Sequence, residues 1–192
     1  MINLISIADF LRQFGDFENN DLIYIASKIE EFDLKAETCH LQSPVPACRI
    51  NYLVGGIIGT FCIDTDGNEC LRHFIPEKHF FTDPDGFLPG RYATYTFRAL
   101  TDCQVLSMSA TNVLALIAEI PNLEKFYRNI REQSLLDLLK SYEFVRTGTA
   151  AEQYQRLLIC HPEIIRSVWY KHTADFLGIT PQSLSRIRHF RQ

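Results

Sequence analysis

The apolar spacing of this chain changes twice, and that change limits the possible folds more than any other feature of the sequence. Over the first thirty or so residues, Ile5, Ala8 and Leu11, then Leu22, Ile25, Ala26 and Ile29, recur at three- and four-residue steps. That spacing predicts helices, punctuated at Gly15-Asp16 and Asn19-Asn20. From about 34 to 109, apolar and polar residues alternate in short runs bounded by turn residues, the pattern of antiparallel strands. Strands are expected at 49–54, 57–63, 69–74, 92–98 and 104–108. Asp64-Thr65-Asp66-Gly67-Asn68 predicts a hairpin, because glycine takes positive φ without a Cβ clash. Thr82-Asp83-Pro84-Asp85-Gly86 and Leu88-Pro89-Gly90 break the chain before the aromatic-rich strands. Helical spacing then returns, with Ser109 and Thr111 as caps for a helix over 112–119. The expected class is α+β: N-terminal helices, a small antiparallel β-barrel or jelly roll, a long helix and a C-terminal helical domain.

Pro121 opens the long helix, expected over 121–145 with a length of roughly 37 Å at the helical rise. Its apolar face is too wide for one two-stranded seam, so it suits packing on its own domain and on a partner helix together. Leu123, Phe126, Ile130, Leu135, Leu138 and Tyr142 are the expected dimer residues. Thr147-Gly148-Thr149 is the one convincing hinge, which divides the chain into 1–147 and 148–192.

Residues 170–191 carry the most specific signal. Ala174 is small where two helices would cross, Gly178 allows a left-handed turn four residues later, and Thr180-Pro181 caps and opens a second helix. Phe176, Leu177, Ile179, Leu184 and Ile187 are expected inward. Gln182, Ser183, Ser185, Arg186 and His189 are left on the outer side of a helix-turn-helix, available to a major groove. Gln182 suits adenine and Arg186 suits guanine, while Thr180, Ser183, Ser185, Lys171 and Arg191 suit phosphate. The net charge is −4, yet residues 166–192 hold five basic side chains against one acidic. A basic tail on an acidic body fits one module that meets a polyanion.

The other signals are quieter. Six cysteines show no CxxC pair and no zinc spacing, so they are expected as reduced thiols in core or surface positions. His73 and His79 match no standard ligand set, and no metal site is expected. The sequence holds no phosphate loop, nucleophile elbow or HExxH, which argues against an enzyme. No membrane-length apolar run and no basic n-region occur, which points to the cytoplasm.

Phe176 to Ile187 resembles the recognition segment of the shorter Crp/Fnr regulators. Leu53-Val54-Gly55-Gly56-Ile57-Ile58 with Asp64 to Glu69 resembles a hairpin of their cyclic-nucleotide-binding barrel, and Phe97 to Leu106 resembles the strand leaving its ligand cassette. The resemblance implies a homodimer on double-stranded DNA, with an unidentified small-molecule effector and RNA polymerase as further candidate partners. It also implies a short, wingless type, since the chain stops two residues after Phe190. The cassette departs from the family. Its arginine position falls near Ala93, followed by Thr94, and Arg91 lies two residues early, about 7 Å along a strand. Asp83 and Asp85 stand where the ribose-binding pair is expected, and their carboxylates would repel a phosphate. Arg91, Tyr92, Thr94, Asp83 and Asp85 are therefore a candidate ligand pocket without tight cyclic-nucleotide binding, and no cofactor is expected. The alternative is a barrel that binds a small molecule or a partner and no longer reads DNA.

Overall fold

The computed structural model describes residues 10–12, 15–85, 90–146 and 148–189, without the side chains of residues 121, 137, 138 and 140–146. Ile5, Ala8, Gly86, Phe87, Leu88, Pro89, Thr147 and Arg191, and the side chains of Leu138 and Tyr142, lie outside the described residues. Residues 10–12 are helical, and α1 follows at Asn19–Ala26. Eight strands come next: β1 (Glu30–Leu34), β2 (Cys39–Leu41), β3 (Arg49–Gly55), β4 (Ile58–Ile63), β5 (Glu69–Ile75), β6 (Phe80–Phe81), β7 (Thr96–Ala99) and β8 (Cys103–Ser109). Six helices complete the chain: α2 (Ala110–Glu119), α3 (Pro121–Arg146), α4 (Ala150–Cys160), α5 (Pro162–Ser167), α6 (Tyr170–Phe176) and α7 (Pro181–His189).

The strands pair antiparallel in two sheets, ordered β1-β8-β3-β6 and β2-β7-β4-β5. Leu53, Val105, Ile58, Ile75 and Phe97 alternate inward from both sheets and form the core between them. A polar patch is buried in the same layer: the Ser107 hydroxyl donates to Asn51 Oδ1 at 2.7 Å, and His40 Nε2 lies 3.1 Å from that oxygen. The His40 ring stacks on Phe32 at 5.0 Å, and burial lowers its pKa below the ordinary histidine value.

Each sheet also has an outer face covered by helices. Tyr52 and Met108, on the far side of β3 and β8, meet α1, α2 and the start of α3 through Leu22, Ile25, Leu116, Leu123 and Phe126. Phe61, Leu71 and Phe74, on the far side of β4 and β5, form one core with Tyr154, Leu157, Ile164, Phe176 and Leu184 of the C-terminal helices.

The expected 92–98 strand is corrected to Thr96–Ala99. The amides of Thr94 and Tyr95 donate to Asp83 Oδ2 at 2.9 and 2.8 Å, which takes them away from a ladder. The helix expected from 112 begins at Ala110, because the Ser109 hydroxyl accepts from the Asn112 amide and is the cap. Strand structure begins at Glu30, earlier than the change of period suggests, and β2 and β6 add short pieces that were not expected.

Candidate functional site

The first candidate surface is built by α6 and α7. Gly178 has φ +64 with open space around its missing Cβ, so its backbone turns the chain sharply between the helices. The Thr180 hydroxyl accepts from the Ser183 amide at 3.2 Å and starts α7, with Pro181 as its first residue. Leu184 is 0% exposed and Ala174 1%, while Ile179 and Ile187 pack against the same core. That pins one face of α7 and leaves Gln182, Arg186 and His189 exposed on the other. Ser183 and Ser185 are half-buried. The Ser183 hydroxyl shares a 3.0 Å hydrogen bond with Thr180, so both hydroxyls serve the helix start as well as the surface.

A groove of about 880 Å³ runs beside this face, lined by Tyr154, Gln155, Tyr170, Gln182, Ser185 and Arg188 among others. The Tyr170 hydroxyl donates to the Pro181 carbonyl, and the Arg188 guanidinium lies 5.7 Å from the Tyr170 ring centre. Arg188 and Tyr170 were missed as surface residues. The available signal was that Arg188 follows Ser185 by three positions, which is the same helical face.

Lys171 sits apart from α7. Its ammonium lies 4.8 Å over the Trp169 ring and 3.8 Å from Glu37 of the barrel. His172, 5% exposed, places Nε2 3.2 Å from Glu37 Oε1 and meets the Phe61 ring edge-on at 5.7 Å. The Leu71 amide donates to Asp175 Oδ2 at 2.7 Å. Thus α6 is seated on this sheet by directed polar contacts with the Leu71 amide of β5 and with Glu37 beside β2, as well as by Phe176 on Phe74.

The second candidate surface is the segment between β6 and β7. The structure brings Asp83, Asp85, Arg91 and Thr94 together, and Tyr92 is exposed nearby. Asp83 is 1% exposed and holds the two consecutive amides that follow Ala93. Arg91 Nη1 donates to Asp85 at 2.9 Å, and the Thr94 hydroxyl donates to the same carboxylate at 3.0 Å. The hydrogen bond from Thr94, then that from Arg91, hold the Asp85 carboxyl below the usual carboxylate range. In this arrangement the Thr94 and Tyr95 amides serve Asp83, and the Arg91 guanidinium is paired with Asp85.

On α3, Leu123 and Phe126 are buried and Ile130 is partly buried, all three under the β1-β8-β3-β6 sheet. Leu135, Leu136 and Leu139 are more than half or about half exposed. Among the described residues no three metal-ligating side chains gather, and no helix is long and apolar enough to cross a membrane.

No family model matches the chain, and no curated protein matches it by sequence. Solved structures do match. The c-di-GMP-responsive global regulator CLP of Xanthomonas campestris aligns with a TM-score of 0.72 at 13% identity, over 90% of this chain and 91% of its own. FixK2 from Bradyrhizobium japonicum gives 0.66 at 16% identity, over 84% and 83%. The sensor domain of the transcriptional regulator DNR from Pseudomonas aeruginosa gives 0.59 at 15%, over 73% and 95%. At these identities the likeness is one of fold: antiparallel sheets and helices in the cyclic-nucleotide-binding-like architecture that these regulators share.

Proposed function

We propose that this chain is a DNA-binding transcriptional regulator of the Crp/Fnr type, working as a cytoplasmic homodimer without a tight cyclic-nucleotide site. The observation that carries the reading is the division of α7 into two faces. Leu184 anchors it in the core, while Gln182, Arg186 and His189 stand exposed together with basic Arg188. An Arg and a Gln on one helix face can fork onto guanine and adenine edges, and Thr180, Ser183, Ser185 and Lys171 can position the backbone. The fold-level likeness to regulators supports the same reading.

Exposed Leu135, Leu136 and Leu139 support pairing of two α3 helices beyond the part of α3 that lies on its own barrel. Leu138 and Tyr142 belong to the same proposed seam. Two copies would then place two α7 helices in successive major grooves, with RNA polymerase as a further partner. Residues 148–192 act in this scheme as the DNA-reading unit and residues 1–147 as the barrel with its dimer helix.

Selection of bound fragments from random duplex DNA tests the proposal. The expected result is a two-fold symmetric site, with Arg186→Ala losing about 1–3 kcal/mol of discrimination at one base position. A second reading is a barrel that binds a small molecule or partner and no longer reads DNA. It draws on the seating of α6 against Glu37 and β5, and it requires that no sequence be enriched and that Arg186→Ala change nothing.

A further inference from the structure

The β4–β5 hairpin places Cys62 directly opposite Cys70. Eight positions separate them in sequence, so their pairing becomes visible only once the turn is closed. The Asp64 amide donates to the Asn68 carbonyl at 2.9 Å, and Gly67 at φ +84 completes the turn. Counting two steps back along the ladder makes Cys62 and Cys70 a hydrogen-bonded pair, whose Cα atoms stand about 5.5 Å apart in antiparallel geometry. That Cα spacing lies inside the range a disulfide spans, and closing the bond draws the two Cβ atoms together from roughly 5.5 Å. Residues opposite each other in a ladder point to the same face, so both sulfurs lie on one side of the sheet. Both cysteines are free and half-buried, open enough for a small oxidant.

The two sulfurs sit in different surroundings. Arg72 Nε donates to Cys62 Sγ at 2.9 Å, so a guanidinium lies directly against that sulfur. Burial pushes the Cys70 thiol up, opposed by Arg72, with Cys62 beside it adding to the rise. The cation in contact with Cys62 assigns that sulfur the attacking role and leaves Cys70, directly opposite, to resolve.

We propose that Cys62 and Cys70 form a peroxide-reactive dithiol that closes to a cross-strand disulfide. The Cys62 sulfur, as the anion, attacks one oxygen of a hydroperoxide, breaking the O–O bond and releasing hydroxide or alkoxide. This gives a sulfenic acid on Cys62. Cys70 then attacks that sulfur, its proton leaves with the sulfenic oxygen as water, and the S–S bond forms. The two thiols lose two electrons and the peroxide gains them. A thiol reductant reverses the step by exchange at either half-exposed sulfur. The bond forms one residue from Leu71, whose amide is held by Asp175 of α6, so the chemistry occurs beside the seat of the C-terminal helices. The proposal rests on the hairpin and does not depend on DNA reading.

Peptide mapping tests it on the intact chain. The tryptic peptide 50–72 contains Cys62 and Cys70 and no other cysteine. After reduction and brief exposure to hydrogen peroxide, that peptide is expected to be lighter by two hydrogens and to resist alkylation until a thiol is added. Its oxidation should outpace that of exposed Cys160 by about tenfold or more. In Cys70→Ser the oxidised species becomes a sulfenic acid on residue 62, captured by dimedone, whereas Cys62→Ser gives neither product. Full alkylation of wild-type peptide 50–72 while exposed Cys39, Cys48 and Cys160 oxidise overturns the proposal. So does bridging of either cysteine to a different partner. Because the wild-type map decides by itself, a variant that folds poorly leaves the outcome readable.

Discussion

The two helical covers of this sandwich do the same job by different means. The β1-β8-β3-β6 sheet is covered by α1, α2 and the start of α3, chiefly through Leu22, Ile25, Leu116, Leu123 and Phe126. Aromatic contacts such as Phe10 on Tyr52 at 4.4 Å reinforce it. The β2-β7-β4-β5 sheet is covered by α4 to α7, also through an apolar core, but three polar contacts direct α6 onto it. These are Asp175 with the Leu71 amide, His172 with Glu37, and Lys171 with Glu37. Apolar contact is non-directional and has no chemical trigger short of unfolding. The half-exposed Lys171–Glu37 pair among the three polar contacts also competes with water and salt. The comparison teaches that the C-terminal cover, which carries the basic face, is the one whose seating also depends on directed polar contacts.

The comparison can be tested from its strongest element downward. Leu116→Ala, in the first cover at 1% exposure, is expected to cost about 2–5 kcal/mol of global stability, read as a lower urea midpoint. Asp175→Ala leaves the Leu71 amide unpaired and is expected to cost about 1–3 kcal/mol. The loss should be local: amide exchange should rise across α6 and at Leu71 while the first cover stays protected. An equal rise in both covers would break the comparison.

The smallest effect concerns His40, which belongs to neither cover. Its folded pKa is lowered by burial, with the Arg49 charge acting in the same direction and the hydrogen bond with Asn51 opposing. The unfolded chain therefore binds more protons near and below about pH 6.5, so stability is fully present above that pH and falls as the solution is acidified. Urea midpoints measured at about pH 7.5 and about pH 5.5 should differ in that sense, and His40→Gln should flatten the difference.

Much of the architecture was legible where one period runs long enough to be recognised. β3, β5 and β8 follow their alternation, α3 follows its wide apolar face, and the α6–α7 turn follows Ala174, Gly178 and Thr180-Pro181. β1 escaped because Glu30, Glu31 and Asp33 give it little apolar alternation, and β6 is too short to show a period. The start of the 92–98 strand escaped because a side chain eleven and twelve residues earlier takes the amides of Thr94 and Tyr95. The candidate DNA face was legible as far as helical spacing reaches. Its seating was not, because Phe61, Leu71 and Phe74 look like strand core whichever face they occupy. The cysteine pair was hidden for a related reason, since residue spacing does not show which positions a hairpin brings opposite.

The buried Asp83 carboxylate has a consequence best put in terms of concentration. A ligand tethered eleven residues from the amides it occupies is present at an effective concentration on the order of millimolar or higher. A free anion competing for those amides must exceed that level or bind far more tightly. Those two amides are thereby withheld from small free anions at ordinary concentrations.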